Sequence, residues 1–361
     1  MDEQAHHPFP WRVTALVAAL VIGASILVGI LLTRGQVTTA DPAPSPTPSA
    51  TSTVAAIAEQ GRQVTVLLIV RDDDRAAVST MLIGVGGEGG TVSELLLPRD
   101  LLLPTVPPRR LSAIDDPTGA QDAEQPLETL LGVEVDAVID LDRLAWAGLI
   151  DATGSRVDVV AAENPGSFPL VVDRVLKGLP YEPETVGELL TGLGSMARTT
   201  VTNEDASMLL ALVGRDVRAQ DVVRRTLPVI YVRAGEDRAA LADLSLSEPL
   251  MRELFPEALL VPGHDGQLRV VLQRAGATLG TATAARLALQ GADMGVISDR
   301  DHPEPESATV ILVPDDSAAA LEAGQRVAEV LGLPASTVRV ADGGSVDVRV
   351  LLGPDLGPRP V

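Results

Sequence analysis

Cysteine is absent from this 361-residue chain, which excludes disulfide bonds, thiolate metal sites and a cysteine nucleophile. Lysine is almost absent as well: Lys177 is the only one, so 27 of the 28 cationic side chains are arginines. Aromatic residues make up 2% of the chain and leave little surface for stacking bases or sugars. Positive charge is outnumbered, 28 Lys and Arg against 49 Asp and Glu, for a formal net charge of -21. Such an excess repels phosphate backbones, and no run of arginines exceeds two residues, so nucleic acid is not an expected partner. What the chain does have is apolar bulk and punctuation. Hydrophobic residues reach 46%, and a prior of roughly 100–200 residues per domain predicts about two cores. Gly (32) and Pro (27) divide the chain into short elements.

Between Arg12 and Arg34 lie 21 residues, VTALVAALVIGASILVGILLT, with only Thr14, Ser25 and Thr33 polar. At about 1.5 Å per residue a helix of that length crosses one hydrocarbon core, roughly 30 Å. A cleaved signal peptide is disfavoured, because its apolar stretch is usually about 7–15 residues and its flank basic, whereas here the flank carries Asp2 and Glu3. Residues 13–33 are therefore expected to form a retained membrane helix, with residues 1–12 cytoplasmic. Residues 34–61 follow as a Pro/Ser/Thr-rich linker: 12 of the 16 residues at 38–53 are of those types, with Pro42, Pro44, Pro46 and Pro48 alternating. This composition buries no core and favours an extended tether. The expected location is the plasma membrane, single-pass, with the bulk of the chain outside the cell.

From Val64 onward short apolar runs alternate with helical spacing. VTVLLIV (64–70), STMLIGV (79–85), VSELLLP (92–98), VDAVIDL (135–141) and SRVDVV (155–160) read as strands. Segments near 120–131, 142–152, 169–178, 183–197, 203–213 and 245–255 read as helices. The alternation predicts an α/β layer architecture over 62–262, with helices covering a central sheet. Residues 267–356 show a second order, β-α-β-β-α-β with room for a split in the last strand, which predicts a small two-layer α/β domain. Gly84, Gly86 and Gly89 match G-x-G-x-x-G, but a strand follows instead of a helix, so a glycine-rich hairpin is expected. AGATLG (275–280) reads as a tight strand-to-helix turn, Asp115-Asp116 and Asp315-Asp316 as turns or caps, and His264 and His302 stand alone.

One pattern carries chemistry. Asp72 ends the first apolar strand and Arg99-Asp100 ends the third, so with those strands adjacent the charges meet at one sheet edge. The pattern fits either a bare salt bridge or an arginine for phosphate with Asp72 and Asp100 for a metal.

At these residues the chain resembles the LytR-CpsA-Psr family of cell-envelope proteins. The family's early motifs appear as LLIVRDDDR (67–75), VSTMLIGV (78–85) and LLLPRD (95–100). LLGVEVDAVIDLDRLAWAGLIDATGSRVDV (130–159) resembles its downstream stretch, and residues 268–356 resemble the LytR C-terminal domain attached in actinobacterial members. The resemblance implies one membrane helix, a three-layer α/β domain with a central mixed sheet, and transfer of polyprenyl-pyrophosphate-linked glycopolymers with Mg²⁺ and arginines on the pyrophosphate. Carried over, Arg99 is the candidate pyrophosphate ligand and Asp72 and Asp100 the candidate metal ligands. Arg71, Arg75 and Arg174 are candidates for recruited arginines. The chain departs from the family where Ser79 replaces the second-motif aspartate, and where Arg174 and Arg198 stand singly in place of an Arg-x-Arg pair. The expectation is a degenerate member that binds a polyprenyl-pyrophosphate lipid, a cell-wall polymer or an envelope protein, with little or no catalysis. The alternatives are a Mg²⁺-dependent glycopolymer transferase, and an envelope sensor or scaffold acting through its C-terminal domain.

Overall fold

The computed structural model describes residues 62–356 apart from 88–89, 115–118, 158–163, 165, 235–236, 261–265 and 342–345. The expected membrane helix at 13–33, its cytoplasmic tail and the linker lie outside these residues, as do Asp115, Asp116 and His264. Among the described residues no helix is long and apolar enough to cross a membrane.

In chain order the elements are β1 (Val64–Arg71), β2 (Ala77–Val85), β3 (Val92–Leu97), β4 (Leu102–Leu103), β5 (Arg109–Arg110), α1 (Gly119–Leu131) and β6 (Ala137–Leu141). Then come α2 (Arg143–Ala152), α3 (Phe168–Gly178), α4 (Pro183–Leu193), β7 (Ala197–Thr199), α5 (Asn203–Ala219) and β8 (Val222–Thr226). A ribbon, β9 (Val229–Ala234) and β10 (Asp237–Ala242), precedes α6 (Leu244–Leu254). The last part comprises β11 (Arg269–Arg274), α7 (Leu279–Gly291), β12 (Gly295–Asp301), β13 (Val310–Val313), α8 (Ala318–Leu331), β14 (Val338–Val340) and β15 (Val348–Leu352).

The first sheet is mixed and six-stranded, in the order β7-β6-β1-β2-β3-β8. All eight residues of β1 are buried, as expected of a central strand covered on both faces. Val66, Leu68 and Val70 point to a core shared with α2, α3, α4 and α5, while Leu67 and Ile69 point to a second core shared with α1 and α6. Helix, sheet and helix thus form three layers. Side-chain caps set several helix starts: Asp142 accepts from the Ala145 N–H of α2 and Thr202 from the Asp205 N–H of α5. The glycine-rich stretch after β2 is a hairpin, in which Gly86, Gly87 and Gly90 all take positive φ.

The second sheet runs β12-β11-β15-β13-β14. Residues 338–352 do form two strands, and they are not neighbours: β14 lies at the edge, while β15 inserts between β11 and β13. Both long helices, α7 and α8, bury their apolar stripes in one core with Val270, Ile311 and Val350. The AGATLG turn is a strand-to-helix connection capped by Thr278, and Asp315 accepts from the Ser317 N–H that starts α8.

The two sheets share packing. Val271, Ile297 and Val346 of the last part join the core formed by α1 and α6. Arg269, 1% exposed, sends Nε to the Thr129 carbonyl at 2.7 Å, at the C-terminal end of α1 where acceptors are left over. Gly132 (φ +71) leaves the space: a Cβ there would lie 2.4 Å from Arg269 Nη1.

The sequence reading differs from the structure in three places. SRVDVV forms no strand where it is described: Ser155–Val157 are irregular and the rest lies outside the described residues. The helix expected over 183–197 stops at Leu193, where Gly194 takes φ +57, and the chain turns into β7. The third is the whole of β8, β9 and β10, whose arginines and Pro228 interrupt any apolar period.

Candidate functional site

β1 and β3 run in one direction with β2 antiparallel between them, and β6 runs parallel to β1. The C-terminal ends of β1, β3 and β6 therefore open on one edge of the sheet. Asp72 and Arg99 both lie on that edge, but their strands are not neighbours. Two successive hairpins interpose β2, so the strand ends stand roughly 10 Å apart at about 4.8 Å per spacing.

Asp72 organises its own loop. Its Oδ1 accepts the N–H groups of Asp74 at 3.0 Å and Ala76 at 2.9 Å, and its carbonyl accepts from Arg75 at 3.1 Å. This local capping is what aspartate supplies in turns, and Arg75 takes φ +63 as the loop closes. Just before it, the β1–β2 register shifts between Val70 and Arg71, and such a bulge re-aims a side chain. Arg71 is 2% exposed. Its Nε meets both carboxylate oxygens of Asp140, at 2.8 and 2.9 Å, and its Nη1 donates to the carbonyls of Arg75 and Ile114, both at 2.8 Å. Its Nη2 is also buried and has no hydrogen-bond partner among the described residues.

Asp140 sits on β6 opposite Arg198 of β7. The Arg198 guanidinium is held below its usual pKa, first by burial and then by the nearby positive charges of Arg75 and Arg71. Three guanidinium groups thus share this edge, with Asp140 the carboxylate that neutralises Arg71. Beside them Arg143 of α2 pairs with Asp73. Arg99 is exposed in the turn after β3, and the Asp100 carbonyl accepts the Ala240 N–H at 2.9 Å. Arg174 is exposed on α3.

Among the described residues the donor set does not fit Mg²⁺, which needs several free oxygen ligands. Asp140 is committed to Arg71, and Asp72 spends one oxygen on its loop. Among the described residues no group of three His, Asp or Glu is arranged to hold a metal ion. Aromatic side chains pack the apolar interior under this edge. Trp146 and Phe168, both fully buried, meet with ring centroids 5.9 Å apart. The cavity lined by Leu68, Ile139, Trp146, Val172, Leu190 and Leu210 measures about 20 Å³, space on the order of one water.

Asp140 is the residue that the motif pattern passes over, and Arg198 is noted there only as a single arginine without a site. A charge inside the apolar run VIDL was the available signal for Asp140; Arg198 lies in a three-residue strand too short to show a period.

At the opposite edge the charge reverses. Glu124 and Glu128 of α1 lie with Glu134 and Asp136 before β6, and Arg62 bridges Glu134 and Asp136. Burial, then the neighbouring carboxylates, push Glu128 up to about 7 although the Val135 N–H donates to it. Away from both edges, Glu94 of β3 is raised to about 7 by burial and by Asp173, while Arg224 bridges the two carboxylates.

No family model matches the chain, and no curated protein is significantly similar to it. Among solved structures it is similar to B. subtilis TagV, at 11% identity over 56% of this chain and 99% of that one, with a TM-score of 0.45. Protein gbs0355 from Streptococcus agalactiae gives 14% identity, coverage of 56% and 94%, and a TM-score of 0.46. TagT bound to LI-WTA gives 12%, coverage of 62% and 94%, and 0.45. At such identities and TM-scores below 0.5, these similarities do not assign a function.

Proposed function

We propose that the protein is a LytR-CpsA-Psr-like component of the cell envelope that binds a phosphate-bearing ligand, a cell-wall polymer or its polyprenyl-pyrophosphate precursor, with little or no catalysis. In this reading residues 13–33 anchor it in the plasma membrane with residues 1–12 cytoplasmic. The 34–61 linker then holds two outer regions, 62–262 and a LytR C-terminal-like 267–356, beyond the bilayer.

The observation that carries the proposal is the Arg71, Arg75 and Arg198 cluster, in which Arg71 Nη2 is buried and still has a donor to give. A guanidinium fork is well matched to phosphate, and three neighbouring cations gain from an anion between them. Transfer asks for more. Phosphoryl chemistry depends on positioned positive charge and metal around the leaving pyrophosphate, and here, among the described residues, Asp140 is bound to Arg71 and Asp72 spends one carboxylate oxygen on its own loop. Ground-state binding therefore outlasts turnover.

The test uses the full chain with a polyprenyl pyrophosphate, with and without Mg²⁺. The expected result is weak binding that Mg²⁺ does not change, that Arg198→Gln weakens roughly tenfold, and that releases no phosphate. Turnover abolished by Arg99→Ala or Asp72→Ala would reverse the reading in favour of the Mg²⁺-dependent transferase.

A further inference from the structure

A small cavity lies where α6, a helix over the first sheet, meets the second sheet. It measures about 150 Å³ and is lined by Leu244, Ser245 and Glu248 of α6, Val271 of β11 and Arg349 of β15. Leu244 and Val271 belong to the core beneath it, and Ser245 is exposed, so the cavity opens beside that residue. β15 is an inner strand, and the residues opposite Arg349 on its two neighbours are Val271 and Leu312, neither of which can answer a charge. The Arg349 Nε is buried and has no hydrogen-bond partner, and the guanidinium makes no ion pair among the described residues. A buried donor left so costs free energy. Asp347, two positions earlier in β15, is occupied with Arg269, whose backbone N–H it accepts at 2.8 Å. Glu248 is half-buried in the same lining, close enough for Arg269 to feel its charge, yet it forms no ion pair with Arg349. One cation and one carboxylate thus share a small cavity without meeting.

We infer that this cavity binds a free aliphatic α-amino acid, with its carboxylate on Arg349 and its ammonium on Glu248. A guanidinium and a carboxylate make charge-assisted hydrogen bonds of matching planar geometry. A zwitterion answers both lining charges and brings no net charge into a half-buried site, where an uncompensated one is costly. A simple carboxylate would meet the repulsion of Glu248, and also of Asp243 at the rim, which accepts the N–H and hydroxyl of Ser245. A simple amine would leave Arg349 as it is. The Leu244 and Val271 side of the lining suits an aliphatic side chain, because small-molecule sites combine apolar walls with a few placed polar groups. By the measure in which one water needs about 10–15 Å³, the space holds about ten non-hydrogen atoms, which admits a single amino acid and no polymer. The site is distant in the fold from the Arg71 edge and does not rest on the reading given there. Its occupant would tie α6 to β15, and so the first sheet's layers to the second sheet.

The experiment titrates the full chain by calorimetry with three probes: L-valine, 3-methylbutanoate, which lacks the ammonium, and isobutylamine, which lacks the carboxylate. L-valine is expected to bind best and to raise the unfolding temperature, with each truncated probe weaker roughly tenfold or more. Arg349→Gln should weaken L-valine and 3-methylbutanoate by a similar factor and leave isobutylamine unchanged. Glu248→Gln should weaken L-valine and isobutylamine and spare 3-methylbutanoate. That crossed pattern separates recognition from a folding defect, which would weaken all three probes alike. Absence of L-valine binding at millimolar concentration would overturn the inference. So would a truncated probe that binds as tightly as L-valine, an L-valine affinity unchanged in both variants, or an equal loss of all three probes in each.

Discussion

The two ends of the same strands face opposite electrostatic worlds. At the C-terminal edge of β1 and β6, Arg71, Arg75 and Arg198 gather around Asp140; at the N-terminal edge, Glu124, Glu128, Glu134 and Asp136 gather around Arg62. The manner of neutralisation differs too. Arg71 and Asp140 are both 2% exposed and bonded through two contacts, so each depends on the other. Arg62 remains partly exposed, and the buried Asp136 has other donors in the N–H and hydroxyl of Thr65. One edge is a closed pair with a spare donor; the other is an open pool of acid. The lesson is that an overall charge of -21 says little about where this chain would accept an anion.

The contrast can be broken most severely at Arg71. Arg71→Ala leaves Asp140 buried and uncompensated, and should cost about 3–5 kcal/mol in urea unfolding. Arg71→Met with Asp140→Leu should recover most of that loss, because both buried charges go together. If the single and double variants are equally unstable, packing and not charge holds this edge.

The acidic edge should reveal itself through pH. Glu128 and Glu94 both hold a proton up to about 7 when folded, against roughly 4.3 when unfolded. Between those values the folded state binds more protons, so stability is full below about pH 4 from this source and declines as pH rises to about 7. Glu128→Gln should remove its share, about 1–2 kcal/mol after allowance for partial exposure, measured as a shallower fall of unfolding free energy between pH 5 and 8. An unchanged slope would mean that water reaches the carboxyl freely.

Smaller effects sharpen the comparison. Arg62→Ala should lower stability by about 1 kcal/mol, since Asp136 keeps its Thr65 bonds. Arg198→Gln should change stability least, within about 0.5 kcal/mol, because the residue is only partly buried on the edge strand β7. Thermal unfolding at neutral pH would rank the two, and a larger loss for Arg198→Gln would give that residue a structural part in the sheet.

Much of this fold could be read from patterns because its central strands are buried on both faces. VTVLLIV and STMLIGV are continuous apolar runs for that reason, and the helices over them keep regular stripes. Legibility fails where charge enters a strand. VVRRT and VIYVRA interrupt their own period with arginines, so β8 and the ribbon have no apolar signature. The aspartate of LLIVRDDDR was ambiguous for a different reason. A residue that caps a hairpin loop and one that ligates a metal look alike in a string, and only the bonds from Asp74 and Ala76 reveal how Asp72 is used. Asp140 and Arg198 could not be linked to Arg71 by spacing, because their proximity comes from the parallel pairing of β1 with β6 and the return of β7.

Arg269 beneath the end of α1 has a consequence in the order of synthesis. The helix is made 138 residues before the side chain that binds its Thr129 carbonyl completes β11's first position, counting from Leu131 to Arg269. At translation rates of about 5–20 residues per second, the end of α1 waits several seconds or more with that carbonyl and the neighbouring apolar surface uncovered. A nascent chain halted before Arg269 is therefore the form most exposed to misassociation, and the final residues serve the folding of a helix that was translated long before them.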